Sequence, residues 1–280
     1  MRFDSEIAEI ASKVDFSQLN GKNILITGGS GFVGSWLLHG LSAASIYQHK
    51  KFKVCVLDRT AFEKWMIIDP DHFDYVFHLA PVFDRHIKDK LLETRPRRIV
   101  YASSGAVYLN PLNDYGHAKI DAENSLMASG ADVRIARLFT FCGAYLRPGN
   151  FAVGNFVKNA LAGEPLRVNG TGATVRSYMY GADLSVWLWK IMLDGETGSI
   201  YNVGSEQPIT ILELAERVCK VLDINAEIRV ANDGFTEHAP YYVPDTSLTR
   251  AELDVKESYL LEQQISRYAD WMIEGEDEDL

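Results

Sequence analysis

The chain has 280 residues, of which 47% are hydrophobic and 24% charged, as is ordinary for a folded globular protein. This length is enough to bury a large core, so we expect one large domain, or one main domain with a smaller lobe. The formal net charge of -10 argues against nonspecific binding to nucleic acid or to an anionic membrane surface.

Cysteine usage and hydropathy favour a cytoplasmic protein. Cys55, Cys142 and Cys219 are far apart and show no metal-binding spacing, so we expect reduced thiols and no metal site. Residues 1–17 mix charged and apolar side chains, which does not match a signal peptide. Since no apolar run approaches the roughly 20 residues that span a bilayer, we expect no membrane association.

The first half of the chain alternates predicted helices and strands. Apolar residues recur at helical spacing within residues 1–20, which predicts a short helix before the first strand. Short, apolar, β-branched runs predict five strands, and helical patterns such as 35–42 separate most of them. The predicted strands are 23–27, 53–57, 75–79, 98–102 and 132–138. This alternation predicts an α/β fold with a doubly wound parallel sheet of the Rossmann type.

The pattern changes in the second half of the chain, where loops rich in glycine and proline appear. Helices are predicted at 155–162 and 210–222. In the second of these, Thr210 is the expected N-cap and Glu213 occupies the capping-box position. These elements predict a smaller, mixed α/β lobe at the C-terminal side.

Three glycines follow the first predicted strand and open a predicted helix: Gly28, Gly31 and Gly34. The first permits a tight turn, the second lets the backbone approach a pyrophosphate, and the third lets the helix pack against the strand. The helix N-terminus adds free N–H groups and a partial positive charge. We therefore predict that a nicotinamide dinucleotide binds here, with Phe32 and Val33 among its contacts.

An acidic residue, Asp58, ends the second predicted strand, where it can accept hydrogen bonds from an adenosine ribose. Its carboxylate would repel a 2′-phosphate and therefore favours NAD. The neighbouring Arg59 can attract such a phosphate, which keeps NADP open as the alternative cofactor. We include both residues in the predicted cofactor site.

Tyr115 and Lys119 are four residues apart, so a helix places them on one face. An ammonium group beside a phenol favours the phenolate, and such a phenol can take a proton from an alcohol or give one to a carbonyl. Ser104 follows a predicted strand and is expected at the carboxyl edge of the sheet, where ligands bind in open α/β folds. These three residues are the predicted catalytic group.

The order of these motifs resembles that of the extended short-chain dehydrogenase/reductase superfamily. Within it, the chain is similar to the nucleotide-sugar epimerase/dehydratase family. The resemblance implies that Ser104 is the catalytic Ser/Thr, that Tyr115 is the acid/base, and that Lys119 binds the cofactor ribose and tunes the tyrosine.

Two further stretches extend the resemblance. The segment His78, Leu79, Ala80 resembles the fourth-strand motif of the family, which implies that Leu79 and Ala80 lie beside the cofactor. We predict that His78 itself is a packed core histidine.

The second half of the chain resembles the sugar-nucleotide lobe of the family, most closely that of UDP-glucuronate decarboxylases. This implies that Arg176 grips the nucleotide diphosphate, which suits a planar guanidinium. Thr140 stands where the family has a substrate-side asparagine, and Asn155 belongs to a motif of this lobe. We therefore predict substrate contacts by Ser104, Thr140, Asn155 and Arg176, with a nucleotide-diphosphate sugar as the partner.

The predicted domain organisation has four parts. They are an N-terminal helical extension at 1–20, an NAD(P)-binding Rossmann domain at 21–145, a nucleotide-sugar lobe at 146–272, and an acidic tail at 273–280. Some strands and helices of the lobe are expected to return to the main domain.

The chain also departs from the family pattern. Dehydratases and decarboxylases of the family carry an acidic residue just after the catalytic Ser/Thr, where this chain has Gly105 and Ala106. Only six residues separate Tyr108 from Tyr115, where the family usually has a long substrate-covering loop. The segment 80–98, in which the family often builds its dimer helix, is also short, so the sequence leaves homodimer formation open.

We therefore expect an enzyme, an NAD-dependent nucleotide-sugar epimerase that acts by transient hydride transfer between the sugar and the bound nicotinamide. Two alternatives stay open. One is an NAD(P)H-dependent nucleotide-4-keto-sugar reductase, which would use the same residues but consume its cofactor. The other is an NAD-binding protein with little catalysis, suggested by the shortened loops and opposed by the intact Ser104, Tyr115 and Lys119.

Overall fold

Parallel strands form the main sheet of the protein, seen in a computed structural model that describes residues 3–66, 72–81, 83–149, 151–231 and 240–277. The strands are β1 (Lys22–Thr27), β2 (Phe52–Leu57), β3 (Tyr75–His78), β4 (Arg98–Ser104), β5 (Val133–Leu138), β6 (Phe141–Cys142), β7 (Leu166–Val168), β8 (Val175–Arg176), β9 (Met179–Tyr180), β10 (Ile200–Val203), β11 (Ile209–Thr210), β12 (Ile228–Val230) and β13 (Tyr241–Tyr242). The helices are α1 (Asp4–Lys13), α2 (Phe32–Ile46), α3 (Arg59–Trp65), α4 (Arg85–Glu93), α5 (Asp114–Met127), α6 (Ala152–Leu161), α7 (Gly181–Asp194), α8 (Ile211–Leu222), α9 (Ser247–Leu253) and α10 (Leu261–Asp277).

In the main sheet the strand order is β10-β5-β4-β3-β1-β2, and neighbouring strands are parallel throughout. The inner strands β1, β3, β4 and β5 are largely buried, as parallel strands covered on both faces are. Because β2 and β3 lie on opposite sides of β1, the direction of winding changes there. Open α/β sheets bind ligands at such a point, beyond the carboxyl ends of the strands.

The five strands predicted from the sequence are confirmed, with ends that differ by two residues at most. The largest difference is in β4, which continues to Ser104 instead of ending at residue 102. The sixth strand of the main sheet, β10, was not predicted, because it has only four residues and Asn202 interrupts its apolar run. The predicted α/β fold with a parallel Rossmann-type sheet is confirmed.

The chain divides into two compact units, each assembled from separated stretches of sequence. Unit 1 consists of Met1–Leu138, Leu184–Val203 and Thr246–Lys256, and unit 2 consists of Phe139–Asp183, Gly204–Asp245 and Glu257–Leu280. The main sheet lies entirely in unit 1.

Within unit 1, α2 packs closely against the segment of α7 that belongs to this unit. Trp189 Nε1 donates a hydrogen bond to Leu37 O at 3.2 Å, and Ser185 Oγ donates one to Trp36 O at 2.7 Å. A Cβ on Gly40 would lie only 2.0 Å from Trp189 Nε1, so this approach requires glycine. Side chains from α7 therefore anchor the middle of α2.

Unit 2 combines a three-stranded sheet, β11-β8-β13, and two strand pairs, β12-β7 and β6-β9, with α6, α8 and α10. The start of α8 carries the predicted capping box: Glu213 N donates to Thr210 Oγ1 at 3.1 Å, and Thr210 N donates to the Glu213 carboxylate at 2.8 Å. Helix α6 begins at Ala152, three residues earlier than predicted. Helix α10 continues to Asp277, into the stretch expected as an acidic tail, whose last residues, 278–280, lie outside the described ones. Across the described residues, no helix has the length and apolar character needed to cross a bilayer.

Candidate functional site

The glycine-rich turn between β1 and α2 forms the first part of the site. Gly28 has a φ of +73°, a left-handed conformation that favours glycine, and its N–H donates to Leu57 O at 2.7 Å. A Cβ on Gly34 would lie 2.4 Å from Gly29 Cα, so α2 meets the turn more closely than a side chain would allow. The fold itself therefore requires glycine at positions 28 and 34.

Gly31 differs, because the fold gives no steric reason for its missing side chain. Its φ is -86°, which any residue adopts, and a Cβ there would meet only Gly28 O, at 3.5 Å. It is the N-cap of α2, and in the described part of the chain no side chain caps that helix end. Phe32 and Val33 begin the helix, where backbone N–H groups could donate hydrogen bonds to a phosphate. A dinucleotide phosphate therefore fits this turn.

Asp58 lies directly after β2, next to Leu57, whose carbonyl oxygen accepts the hydrogen bond from Gly28 N. Its Oδ1 accepts a hydrogen bond from Ala61 N at 2.7 Å and so caps α3. Among the described residues, its second oxygen, Oδ2, has no hydrogen bond, which leaves it for a ribose hydroxyl. Arg59 is the first residue of α3, but its side chain lies outside the described part of the structure.

Leu79 and Ala80 follow β3 and reach the same glycine turn. A Cβ on Gly28 would lie 3.0 Å from Ala80 N and 3.1 Å from Leu79 C, and Leu79 N donates to Thr27 O at 3.0 Å. His78 is fully buried, with its Nδ1 2.8 Å from Thr27 Oγ1, so it is the core histidine predicted. The structure therefore brings Leu79 and Ala80 beside the predicted phosphate-binding turn.

Ser104 is the last residue of β4, at the carboxyl edge of the sheet. Its Oγ accepts a hydrogen bond from Ala106 N at 3.1 Å, at the start of the 3₁₀ turn Gly105–Tyr108. This acceptor role leaves the hydroxyl proton able to donate to a ligand oxygen. In the strand order, β4 is two places from β1, the strand that leads into the glycine turn.

Helix α5 carries Tyr115 near its start and Lys119 one turn later, on the same face, as predicted. Lys119 Nζ lies 5.7 Å from the centroid of the Tyr115 ring. Tyr115 is 49% exposed, whereas Lys119 is only 4% exposed. Because α5 packs against β4, the strand that ends at Ser104, one strand–helix pair carries all three predicted catalytic residues.

The ammonium group of Lys119 is held by β4. Its Nζ donates to Ala102 O at 2.9 Å and to the Tyr101 hydroxyl at 3.2 Å. Burial lowers the pKa of Lys119 to about 8, against the opposing effect of the Glu123 carboxylate. Since two ammonium hydrogens are used within the protein, one is left to donate to a ligand such as a ribose hydroxyl.

A partly buried ion pair beside this group, between Glu123 and Arg137, was not predicted from the sequence. The Glu123 carboxylate lies one turn after Lys119 and accepts hydrogen bonds from Arg137 Nε at 3.0 Å and Arg137 Nη2 at 2.6 Å. Ser103 Oγ also donates to it. The pair ties α5 to β4 and β5 and so fixes the helix that carries the predicted acid/base. Its one sequence signal is a glutamate four residues after Lys119.

The same arginine extends a hydrogen-bond chain along the carboxyl edge of the sheet. Arg137 Nη1 donates to the Tyr108 hydroxyl at 2.7 Å, and that hydroxyl donates to Asn202 Oδ1, at the end of β10, at 3.0 Å. Tyr108 is 53% exposed, so this edge presents polar groups to a ligand beyond the three predicted catalytic residues.

In unit 2, Arg176 lies in β8 beside β13. Its guanidinium lies 5.2 Å from the centroid of the Tyr242 ring, which in turn packs on Phe139. Arg176 Nη1 donates to Val175 O at 3.0 Å. A guanidinium has five N–H donors, so others remain to bind a diphosphate.

The two other predicted substrate residues of unit 2 differ in how their polar atoms are used. Thr140 Oγ1 is buried and has no hydrogen-bond partner among the described residues. Asn155 Oδ1 instead accepts from Gly149 N at 2.7 Å, and its Nδ2 donates to Gly149 O at 2.8 Å. A substrate contact by Asn155 would have to replace these bonds, and it stays a prediction. The unbonded hydroxyl makes Thr140 the better candidate, because buried polar groups are normally satisfied.

The chain is similar in sequence to several known enzymes. Residues 84–204 match the model of the NAD dependent epimerase/dehydratase family. UDP-glucuronic acid decarboxylase 6 of Arabidopsis thaliana is 28% identical over 270 residues, which cover 75% of this chain and 77% of that protein. A trifunctional UDP-glucose 4,6-dehydratase/UDP-4-keto-6-deoxy-D-glucose 3,5-epimerase/UDP-4-keto-L-rhamnose-reductase of the same plant is 24% identical over 92% of this chain. The chain spans about half of that relative, 48% of its length.

Solved structures share the fold. An epimerase from Methanothermobacter thermautotrophicus superposes with a TM-score of 0.79 at 20% identity, covering 98% of this chain and 97% of that one. A dTDP-glucose 4,6-dehydratase from Streptomyces venezuelae, solved with NAD bound, superposes with a TM-score of 0.78 at 21% identity, covering 91% and 98%. Over residues 84–204 the chain is therefore similar in sequence to the NAD dependent epimerase/dehydratase family, and it shares the fold of a solved epimerase and of a solved dTDP-glucose 4,6-dehydratase.

Proposed function

We propose that the chain binds NAD and acts as a nucleotide-sugar epimerase. The observation that carries this proposal is the strand–helix pair of β4 and α5, which combines Ser104, Tyr115 and the buried ammonium of Lys119. A phenol with a cation 5.7 Å from its ring, on a helix that packs against the strand ending at a serine, suits proton exchange with an alcohol.

The proposed cofactor site lies at the glycine turn. The fold has room for a side chain at Gly31, so we attribute the glycine to the close approach of a pyrophosphate. The start of α2 supplies N–H donors. Asp58 would accept from the adenosine ribose, which favours NAD over NADP. Several structures that share the fold were solved with NAD bound, which agrees with this choice.

In the proposed reaction, Tyr115 takes the proton of a sugar hydroxyl as the carbon is oxidised, and returns it when the carbonyl is reduced. NAD, held at the glycine turn and by Lys119, would supply a reversible hydride acceptor, so that the same sugar carbon could be oxidised and then reduced on its opposite face. Ser104 holds the reacting oxygen, and Lys119 positions the ribose through its remaining N–H. Arg176 would hold the diphosphate of the sugar nucleotide. Positioning and charge stabilisation contribute most of the rate in such a scheme.

The test is incubation of the purified protein with UDP-, dTDP-, GDP- and CDP-sugars, with product sugars analysed by chromatography. We expect Tyr115→Phe to lower turnover by about 10²–10⁴-fold, the range for loss of a general acid/base. Tyr47→Phe is the matched control, because Tyr47 is 48% exposed and lies just after α2, outside the proposed site. Turnover that survives Tyr115→Phe would overturn the assignment of Tyr115 as the acid/base. NAD binding with no turnover on any sugar would support a binding protein instead.

A nucleotide-4-keto-sugar reductase is the second candidate, favoured by the reductase activity named for the trifunctional relative. It would use the same three residues but release oxidised cofactor after each turnover. Mass spectrometry of the natively purified protein distinguishes the two, since an epimerase should retain NAD and a reductase should exchange it. Decarboxylase or dehydratase chemistry is disfavoured, because Gly105 and Ala106 offer no carboxylate after Ser104.

A further inference from the structure

Inside the main sheet of unit 1, a row of polar side chains links the glycine turn to Lys119. Thr27, His78 and Tyr101 face each other across β1, β3 and β4 in register. All three are almost completely buried. The Thr27 hydroxyl is 2.8 Å from His78 Nδ1, the His78 ring stacks on Tyr101 at 5.8 Å, and Lys119 Nζ donates to the Tyr101 hydroxyl.

We propose that Tyr101 is a positioning residue for Lys119, whose phenol oxygen holds the ammonium group in place and keeps it charged at the cofactor site. The proposal rests on the role given above to Lys119 in NAD binding. The Tyr101 ring lies under the ammonium, with Nζ 4.8 Å from its centroid, and the hydroxyl accepts a hydrogen bond at 3.2 Å. The His78 ring lies nearly parallel to the Tyr101 ring, at an interplanar angle of 15°.

The hydroxyl of Tyr101 matters because burial disfavours a charge at Lys119. Burial lowers the pKa of Lys119 to about 8, so a small loss of stabilisation would neutralise the amine near physiological pH. Burial also raises the pKa of Tyr101, which keeps the phenol protonated and able to accept through its oxygen lone pairs. Other titratable groups near Lys119 come from three elements. They are Tyr115 and Glu123 on α5, Arg137 on β5 paired with Glu123, and His78 on β3 stacked on Tyr101.

The first test measures NAD affinity by calorimetry from about pH 6 to pH 9. Tyr101→Phe keeps the ring but removes the acceptor, so the fall in affinity with rising pH should move about one unit lower. We expect a loss of about fivefold at pH 8 and less than about twofold at pH 6. Tyr75→Phe is the control, since Tyr75 is as buried as Tyr101. It is the first residue of β3, at the end of that strand away from His78 and Tyr101, and its hydroxyl donates to Gln18 O. A Tyr101→Phe profile that superimposes on those of wild type and Tyr75→Phe would overturn the proposal.

The second test needs neither cofactor nor sugar. A double-mutant cycle by urea unfolding compares Tyr101→Phe in the wild-type and Lys119→Met backgrounds. With the ammonium present, we expect the variant to shift the unfolding equilibrium about tenfold or more, and without it less than about threefold. If Tyr101→Phe folds only when Lys119→Met accompanies it, the coupling is also established. Equal shifts in the two backgrounds would refute it.

The two tests separate this inference from the proposed function. If the wild-type protein fails to bind NAD, the proposed function fails, whereas the cycle still reports on the Tyr101–Lys119 bond. If NAD binds normally and Tyr101→Phe behaves like Tyr75→Phe, only the inference about Tyr101 fails.

Discussion

At the residue scale, Lys119 and Thr140 each bury a polar group at a cost to the stability of the folded protein. The Lys119 ammonium is buried, and the Thr140 hydroxyl has no partner among the described residues. Protein interiors normally satisfy buried polar groups, and exceptions concentrate at functional sites. Thr140 therefore gives a prediction in which the effects on stability and on ligand binding separate.

Thr140→Val should weaken substrate binding without a loss of stability. Its hydroxyl bonds to no described protein group, so removing it leaves no partner unsatisfied, and the free energy of unfolding should stay within about 0.5 kcal/mol of wild type. Thr249→Val is the control, because the Thr249 hydroxyl donates to Asn202 O at 2.9 Å, and its loss should cost about 1 kcal/mol. Urea unfolding and the KM of the best sugar nucleotide give the two readouts. An unchanged KM would take Thr140 out of the substrate site.

At the element scale, the site depends on how two helices are fixed to the sheet. Helix α5 is tied to β4 and β5 by Glu123 and Arg137, and α2 meets the glycine turn through Gly34. The three turn glycines therefore fall into two classes. Backbone conformation or packing requires glycine at positions 28 and 34, whereas a Cβ at position 31 would meet only Gly28 O, at 3.5 Å.

Gly31→Ala and Gly34→Ala should consequently fail in different ways. The Gly34 variant must displace the turn, because its Cβ would lie 2.4 Å from Gly29 Cα, and we expect it to lose about 1–3 kcal/mol of stability. The Gly31 variant should lose under about 1 kcal/mol, for a poorer N-cap, but should bind NAD at least about tenfold more weakly. Urea unfolding and calorimetry with NAD measure both. A Gly31 variant with full NAD affinity would contradict the predicted approach of the pyrophosphate.

At the scale of the whole molecule, the stability of the protein should carry a pH dependence that comes from Lys119. Its pKa of about 8 in the folded chain is below the ordinary 10.5, so the unfolded chain binds more protons between these values. Folding stability should therefore rise with pH in this window, by a contribution of about 3 kcal/mol, and this contribution should be constant below pH 8.

The difference in unfolding free energy between wild type and Lys119→Met isolates this contribution, because other groups titrate in both proteins. The wild type should gain on the variant as pH rises from about 8 to about 10. Lys13→Met serves as the control, since Lys13 pairs with Glu9 at the surface of α1. A difference that does not change with pH would show that the ammonium is not disfavoured by folding.

The sequence was informative wherever a residue's role followed from its place next to a strand. The strands could be recognised locally. Gly28 and Asp58 each follow one and Ser104 ends one, so the sheet edge and most of the candidate site could be predicted. The ion pair of Glu123 with Arg137 could not, because it depends on how α5 lies against β5. For the same reason β10 was missed: it pairs with β5 from more than 60 residues away, and its own pattern is weak.

The anchoring of α2 by Trp189 and Ser185 bears on the thermodynamics of ligand capture. Gly40 lies nine residues after Gly31, about 13 Å along the helix, so the helix that presents N–H groups to a phosphate is braced well within its length. Such a cradle exists before the ligand arrives, and no conformational entropy has to be lost to form it. The heat-capacity change on binding would then reflect only the surface that the ligand covers, without a contribution from coupled folding.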